Sequence, residues 1–227
     1  MRTTPFYIVG NWKSNKTLSE ARDWFTVFES LWKKNPVKSS NIKVVLCPGF
    51  IHLSPFGKFI QSSGLPLSLG AQTVSRFDNG AYTGEVSAQM LKDLVQFTLV
   101  GHSERRKYFS ETEDVLLEKL KRAREAQIEP IYCIQSPDMS IPAVCTFVGY
   151  EPIWAIGTGK PETPENANQV ARDIKTKRAD LKIIYGGSVN SENVKSYCQT
   201  EYLDGVLPGG ASLNPATFFE LISHAAF

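Results

Sequence analysis

Five short segments of this 227-residue chain carry side chains that could do chemistry together. In Gly10-Asn11-Trp12-Lys13, Lys13 offers a compact, permanent positive charge to an anionic substrate. Taken alone, a solvated loop lysine is the commoner explanation. In Val100-Gly101-His102-Ser103-Glu104-Arg105-Arg106, His102 stands just before a helix, whose positive end disfavours imidazolium. A neutral histidine donating a hydrogen bond fits there, as does one satisfied by loop backbone. Glu104 reads first as a first-turn carboxylate facing the helix dipole, and second as a partner of Lys13. In the third segment, Glu151 ends an apolar run and is placed to act as a base, or else is salt-bridged in a structural loop. Pro152, Ile153, Trp154 and Ala155 follow as a stiff stretch, then Ile156, Gly157, Thr158, Gly159 and Lys160 as a glycine-rich tip, which is the composition of a hinged lid. Last come Gly186-Gly187-Ser188 and Gly209-Gly210-Ala211. Glycine pairs are often simple turns, but they also let backbone amides approach a phosphate closely.

The elements that must position these groups alternate. Short apolar runs read as strands over Phe6–Asn11, Lys43–Cys47, Leu67–Gln72, Thr98–Gly101, Pro130–Ile134, Phe147–Tyr150, Lys182–Tyr185 and Gly205–Leu207. Several are apolar on both faces, which suits buried parallel strands. Helical spacing marks Thr17–Lys34, Glu111–Gln127, Pro164–Ala179 and the segment after Ala211; Thr17 and Glu20 have capping-box spacing. Strands and helices in turn predict a parallel α/β sheet, closed or doubly wound, in one domain spanning 1–227. On this reading the cation, histidine and glutamate follow strands one, four and six, and the glycine pairs follow seven and eight. One unit is abnormal: Gln135–Thr146, with Pro137 and Pro142, is near the minimum for a parallel crossover and holds at most a stub of helix.

Composition excludes several function classes. A net charge of +2 gives no global field for nucleic acid or membrane, and the basic clusters are interleaved with glutamate. No apolar run approaches a membrane span or a signal peptide. The four cysteines form no CxxC pair and read as buried thiols in a reducing, cytoplasmic setting. No His/Cys cluster suggests a metal, and no cofactor is expected.

The strings GNWK, AQTVSRFDNGAYTGE, VGHSERR, YEPIWAIGTGK, YGGSV and DGVLPGGASL, in this order from residue 10 to 213, resemble the triosephosphate isomerase family. The resemblance implies a (β/α)₈ barrel with a reduced fifth helix and interconversion of dihydroxyacetone phosphate with glyceraldehyde 3-phosphate. It makes Glu151 the base and His102 the neutral electrophile, a pairing for which this family is itself the standard example. It gives Asn11 and Lys13 to the substrate oxygens, Glu104 to the support of Lys13, and the amides of Gly157, Ser188, Gly209 and Gly210 to the phosphate. Pro152–Lys160 becomes the lid, again as this family exemplifies, with Ile156 and Leu207 covering Glu151. Gln72, Thr83 and Glu85 match a loop, around Thr73–Glu85, that inserts into a neighbouring subunit, with Arg105 pairing Glu85. A homodimer, or a tetramer given the shortened units, follows from that match.

Departures from the family pattern are Gln135-Ser136 where a Gly-Glu pair is usual, the shortened fifth unit, a short stretch around Lys177–Leu181, Ser14, and Pro208 beside the phosphate cradle. Two rivals stay open on sequence alone: another phosphosugar isomerase or epimerase on the same barrel, and a non-catalytic, minimised phosphate-binding barrel.

Overall fold

Alternate residues of each apolar run face opposite ways, and both faces find a buried partner. Tyr7, Val9, Val45, Cys47, Leu99, Ile131, Cys133, Phe147, Ile184 and Leu207 pack against one another in one core. Their sequence neighbours, such as Ile8, Leu46, Val100, Tyr132, Val148 and Ile183, pack outward against helices in a second. Two cores separated by one sheet are what a closed parallel barrel requires.

The computed structural model describes residues 4–37, 41–155 and 161–226. Its strands are β1 (Phe6–Asn11), β2 (Ile42–Cys47), β3 (Leu67–Ala71), β4 (Phe97–Val100), β5 (Glu129–Ile134), β6 (Phe147–Tyr150), β7 (Lys182–Tyr185) and β8 (Gly205–Val206). They pair in parallel in chain order, and β8 closes on β1 through Tyr7↔Gly205 and Ile8↔Val206, so the expected (β/α)₈ barrel is the observed one. Closure is tight at Gly205, where a Cβ would run into the carbonyl oxygen of Tyr7 and lie 2.7 Å from Ile184. At the N-terminal end of the strands, Tyr7, Phe97 and Phe147 meet edge to face and plug the interior. The barrel is left open only at the C-terminal ends of its strands.

The described helices are α1 (Leu18–Lys34), α2 (Phe50–Ser63), α3 (Ala88–Leu91), α4 (Ser103–Phe109), α5 (Glu113–Glu125), α6 (Pro164–Lys177), α7 (Val194–Cys198) and α8 (Pro215–Ala225). Thr17 caps α1 in the predicted box with Glu20, and α1 buries Ala21, Trp24, Phe25 and Phe28 against the barrel. Each such aromatic contributes about 1.5–3 kcal/mol of burial. The helix α2 carries no signal in the sequence: Gly49 gives it no side-chain cap, and Pro55 sits inside it.

The fifth crossover has no helix, only turns over 135–146. Met139, Ile141 and Val144 cover the barrel there. Two guanidinium groups hold the loop from either side: Arg124 donates to the Val144 carbonyl and the Thr146 hydroxyl, and Arg178 to the Cys145 carbonyl at 2.8 Å. A cavity of about 260 Å³ remains between this loop and α6. All four cysteines are buried thiols. No helix of the described residues is long and apolar enough to cross a membrane.

Candidate active site

The inward-facing parity of the strands decides what reaches the open mouth. On β1, Tyr7 and Val9 face the interior, so Asn11 does too, and its carboxamide oxygen accepts the Lys13 amide at 2.9 Å. That bond holds Lys13 at φ 54, the left-handed region that lysine rarely occupies. Gln72 completes the support by donating to the Lys13 and Cys47 carbonyls. The ammonium of Lys13 lies 2.6 Å from Glu104.

On β6 the same parity runs Phe147, Gly149, Glu151, and the Glu151 side chain is only 2% exposed. Its Oε2 accepts from the Ser103 amide at 3.0 Å and its Oε1 lies 3.2 Å from His102 Nε2. A Cβ on Gly186 would sit 2.8 Å from Glu151 Cγ, so glycine at that position makes room for the carboxylate. Leu207, expected to cover Glu151, crowds the same point at 3.4 Å. The Cys133 thiol is buried, and its pKa stands well above the usual thiol value, first through burial and next through the Glu151 charge.

Gly101, at φ 74, turns the chain after β4 so that His102 becomes the N-cap of α4. His102 Nδ1 accepts from the Glu104 amide at 3.3 Å. An accepting Nδ1 carries no proton, which leaves Nε2 as the ring's donor, 3.2 Å from Glu151 Oε1.

Lys13, His102 and Glu151 open onto one cavity of about 660 Å³, together with Asn11. The same cavity is lined by Gly186, Gly187 and Ser188 after β7, and by Gly209 and Gly210 after β8. A Cβ on Gly187 would strike the Tyr185 hydroxyl, whereas one on Gly210 would meet nothing within 4 Å, so packing does not demand glycine at 210. Gly210–Ser212 form a 3-10 turn entered from Gly209. Among the described residues the amides of Gly209 and Gly210 have no acceptor. Pro208 leads into this turn, and its carbonyl accepts the Asn11 amide at 2.9 Å.

One pair of alternatives resolves and one expectation changes. Glu104 is a first-turn residue of α4 and also pairs Lys13, so both readings hold at once; it stands behind Lys13 and does not line the main cavity. Arg105 pairs with Glu111 at 2.6 Å, not with Glu85 of its own chain, because the Glu111 carboxylate is a ready counter-charge beside it, shared with Lys119. The Ser103 amide and Gly186 are further groups shaping the site; VGHSERR and YGGSV contain them, yet neither has a side chain that announces a role.

In the lid segment, Ile153–Ala155 form a 3-10 turn with Ile153 and Trp154 exposed, and the Ala155 carbonyl accepts from Ser188 Oγ. Ile156, Gly157, Thr158, Gly159 and Lys160 lie outside the described residues. Beyond them Glu162 is buried and gripped on three sides. Its amide donates to the Tyr185 hydroxyl at 2.8 Å, its carbonyl accepts from Tyr197 at 2.5 Å, and its carboxyl hydrogen-bonds Tyr150. Burial raises its pKa above the ordinary 4.5. No group of three or more described His, Cys, Asp or Glu side chains could hold a metal ion.

A cation, a neutral imidazole donor and a shielded carboxylate thus face unclaimed amides across one cavity. That set can take a proton from carbon beside a carbonyl while holding an anion. The family model described as Triosephosphate isomerase matches residues 6–143 and 138–225. The chain is 38% identical over 238 residues to the triosephosphate isomerase of Mesomycoplasma hyopneumoniae strain 7448, covering 95% of this chain and 97% of that one. It is 40% identical over 242 residues to that of Mycoplasmopsis pulmonis, covering 96% and 97%. To that of Dehalococcoides mccartyi strain ATCC BAA-2100 it is 38% identical over 248 residues, covering 96% of each. With one family model spanning nearly all of its length, and relatives that match it end to end, the chain belongs to the triosephosphate isomerase family.

Proposed function

We propose that the cavity interconverts dihydroxyacetone phosphate and glyceraldehyde 3-phosphate through an enediolate, with Glu151 as the base. Glu151 removes a proton from the carbon next to the carbonyl and returns it to the neighbouring carbon. His102 Nε2, which lies 3.2 Å from Glu151, donates to the carbonyl oxygen once substrate sits between the two. The positive charge of Lys13 and the carboxamide of Asn11 offset the negative charge that develops on oxygen. Gly209, Gly210 and Ser188 present amides to the phosphate, joined by Gly157 of the lid, Pro152–Lys160. An enediolate left in water would eliminate phosphate, so the lid's covering role is to exclude water. The observation that carries this reading is that Lys13, His102 and Glu151 share one cavity with Gly209 and Gly210.

The test is a coupled assay on glyceraldehyde 3-phosphate. Glu151→Ala is expected to cut turnover by several orders of magnitude while a phosphate-bearing analogue still binds. Normal turnover in that variant removes Glu151 from the mechanism. Absence of turnover in the parent protein favours the rival reading, a minimised binding barrel, which the helix-free fifth crossover motivates.

The working unit in this reading is a cytoplasmic homo-oligomer, a dimer or a tetramer. Support comes from a second cavity of about 290 Å³ beside Lys13, lined by Ser14, Phe50, Thr73 and Phe109. Phe50, Phe109 and, on the loop of residues 72–85, Tyr82 are all exposed. A loop from another copy would fill the cavity and cover these rings. A monomeric mass in solution would remove this part.

A further inference from the structure

The amides assigned to the phosphate sit on a short turn, and a short turn holds its shape only if something outside it does the holding. Ser212 ends that turn. Its own amide and hydroxyl both donate to the Gly209 carbonyl, at 2.9 and 2.7 Å, which ties the two ends of the turn together. The remaining group is the Ser212 carbonyl, and it receives two donors. Trp12 Nε1 and Trp24 Nε1 each donate to it at 3.1 Å. A carbonyl oxygen has two lone pairs, and here an indole N–H takes each of them. On the other side Ser212 is backed by β1: a Cβ on Gly10 would lie 2.9 Å from Ser212 Cβ.

Trp12 follows β1 directly, so its reach to this turn is local to the barrel. Trp24 does not lie near the mouth in sequence; it comes from the middle of α1. It is held by an edge-to-face contact with Trp12 at 5.2 Å and by stacking on Phe28 at 4.8 Å. Its ring is fixed by packing, and its one polar atom is spent on the Ser212 carbonyl.

We propose that Trp24 is a positioning residue for the phosphate site: its indole N–H, paired with that of Trp12 on the Ser212 carbonyl, fixes the turn that aims the Gly209 and Gly210 amides into the cavity. This rests on the reading of those amides as the phosphate cradle. A clamp on the cradle acts on binding of the phosphate, which is shared by ground state and transition state, so it changes KM and leaves the chemical step alone.

Trp24→Phe keeps an aromatic ring in the cluster and deletes the donor, together with the volume of the lost ring. Trp32→Phe is the control, because Trp32 lies on the same helix and packs on Phe28 and Phe219. Losing one net hydrogen bond predicts a rise of roughly three- to tenfold in KM for Trp24→Phe. The inhibition constant for inorganic phosphate should rise by the same factor, with kcat within about twofold of the parent. Trp32→Phe should move neither constant. In the parent protein, the Trp12 and Trp24 indole N–H resonances should shift when inorganic phosphate is added, a readout that needs neither turnover nor a folded variant. Constants unchanged in Trp24→Phe, equal changes in Trp32→Phe, or indole resonances indifferent to phosphate overturn the proposal. Loss of turnover in the parent, with the indole shifts intact, would instead strike the isomerase reading.

Discussion

Lys13 is asked to do two things that oppose each other, and two substitutions separate them. Its backbone sits at φ 54, where a Cβ presses on the following carbonyl and costs about 1–2 kcal/mol. Lys13→Ala keeps that strain and Lys13→Gly removes it. Glycine loses roughly 0.5–1 kcal/mol of this advantage because its unfolded chain is freer. The bond to Glu104 is lost from both variants, and with side chains 29% and 40% exposed it contributes little in either. The difference left is about 0.5–1 kcal/mol in favour of glycine. At this chain length that is a melting temperature roughly 1–4 °C above the alanine variant, readable by scanning calorimetry. Both variants remove the positive charge that the proposed mechanism places at the developing oxyanion. A donor of that kind is worth about 3–4 kcal/mol, so turnover in the coupled assay should fall by at least ~10²–10³ in each. The better-folded variant is then as inactive as the worse one. An alanine variant as stable as the glycine variant would refute the strain. Turnover within tenfold of the parent would refute the role of the charge.

Two further outcomes follow from packing and from linkage. Gly205→Ala drives a Cβ into the Tyr7 backbone, which cannot swing aside as a side-chain tip would, so urea unfolding should show a loss of about 3 kcal/mol or more; a loss under 1 kcal/mol would mean that the barrel seam yields. Glu162 has a folded pKa above its ordinary 4.5, so folding binds a proton: its contribution is whole below pH 4.5 and fades as pH rises through the folded value. Glu162→Gln keeps an acceptor for Tyr150 and cannot ionise. Its urea midpoint relative to the parent should therefore rise between pH 4 and pH 8, and a flat or falling difference would contradict the assignment.

The strands were legible because their apolar runs are short, β-branched and bounded by polar or glycine-rich loops; limits such as Phe6–Asn11, Phe147–Tyr150 and Lys182–Tyr185 agree with the structure. Closure of the barrel was not legible from periodicity, since a doubly wound sheet has the same alternation. It is decided by pairing of β8 with β1, two residues wide, which the family strings implied and no local pattern encodes. Helix α2 was hidden by Pro55 and by the absence of a side-chain cap at Gly49. At the site, Lys13, His102 and Glu151 announced themselves by residue type and by position after strands. The Glu104 partnership with Lys13 came from the family strings and not from local pattern, because a first-turn carboxylate is fully explained by its helix. The Trp24 contact was not legible at all: an apolar-face tryptophan at helical spacing reads as core, and a sequence separation of 188 from Ser212 conceals the link.

The helix-free stretch between β5 and β6 bears on how such a scaffold can be pared down. A ring of strands sealed by its own ladder does not ask each outer segment to be a helix, only to keep water off the sheet, and here three apolar side chains under two arginine clasps suffice. Length can therefore be shed from the flank of the cylinder while the reacting groups, seated on the ends of other strands, keep their stations. Selection for a shorter polypeptide would meet its first firm resistance only when deletions reached the mouth.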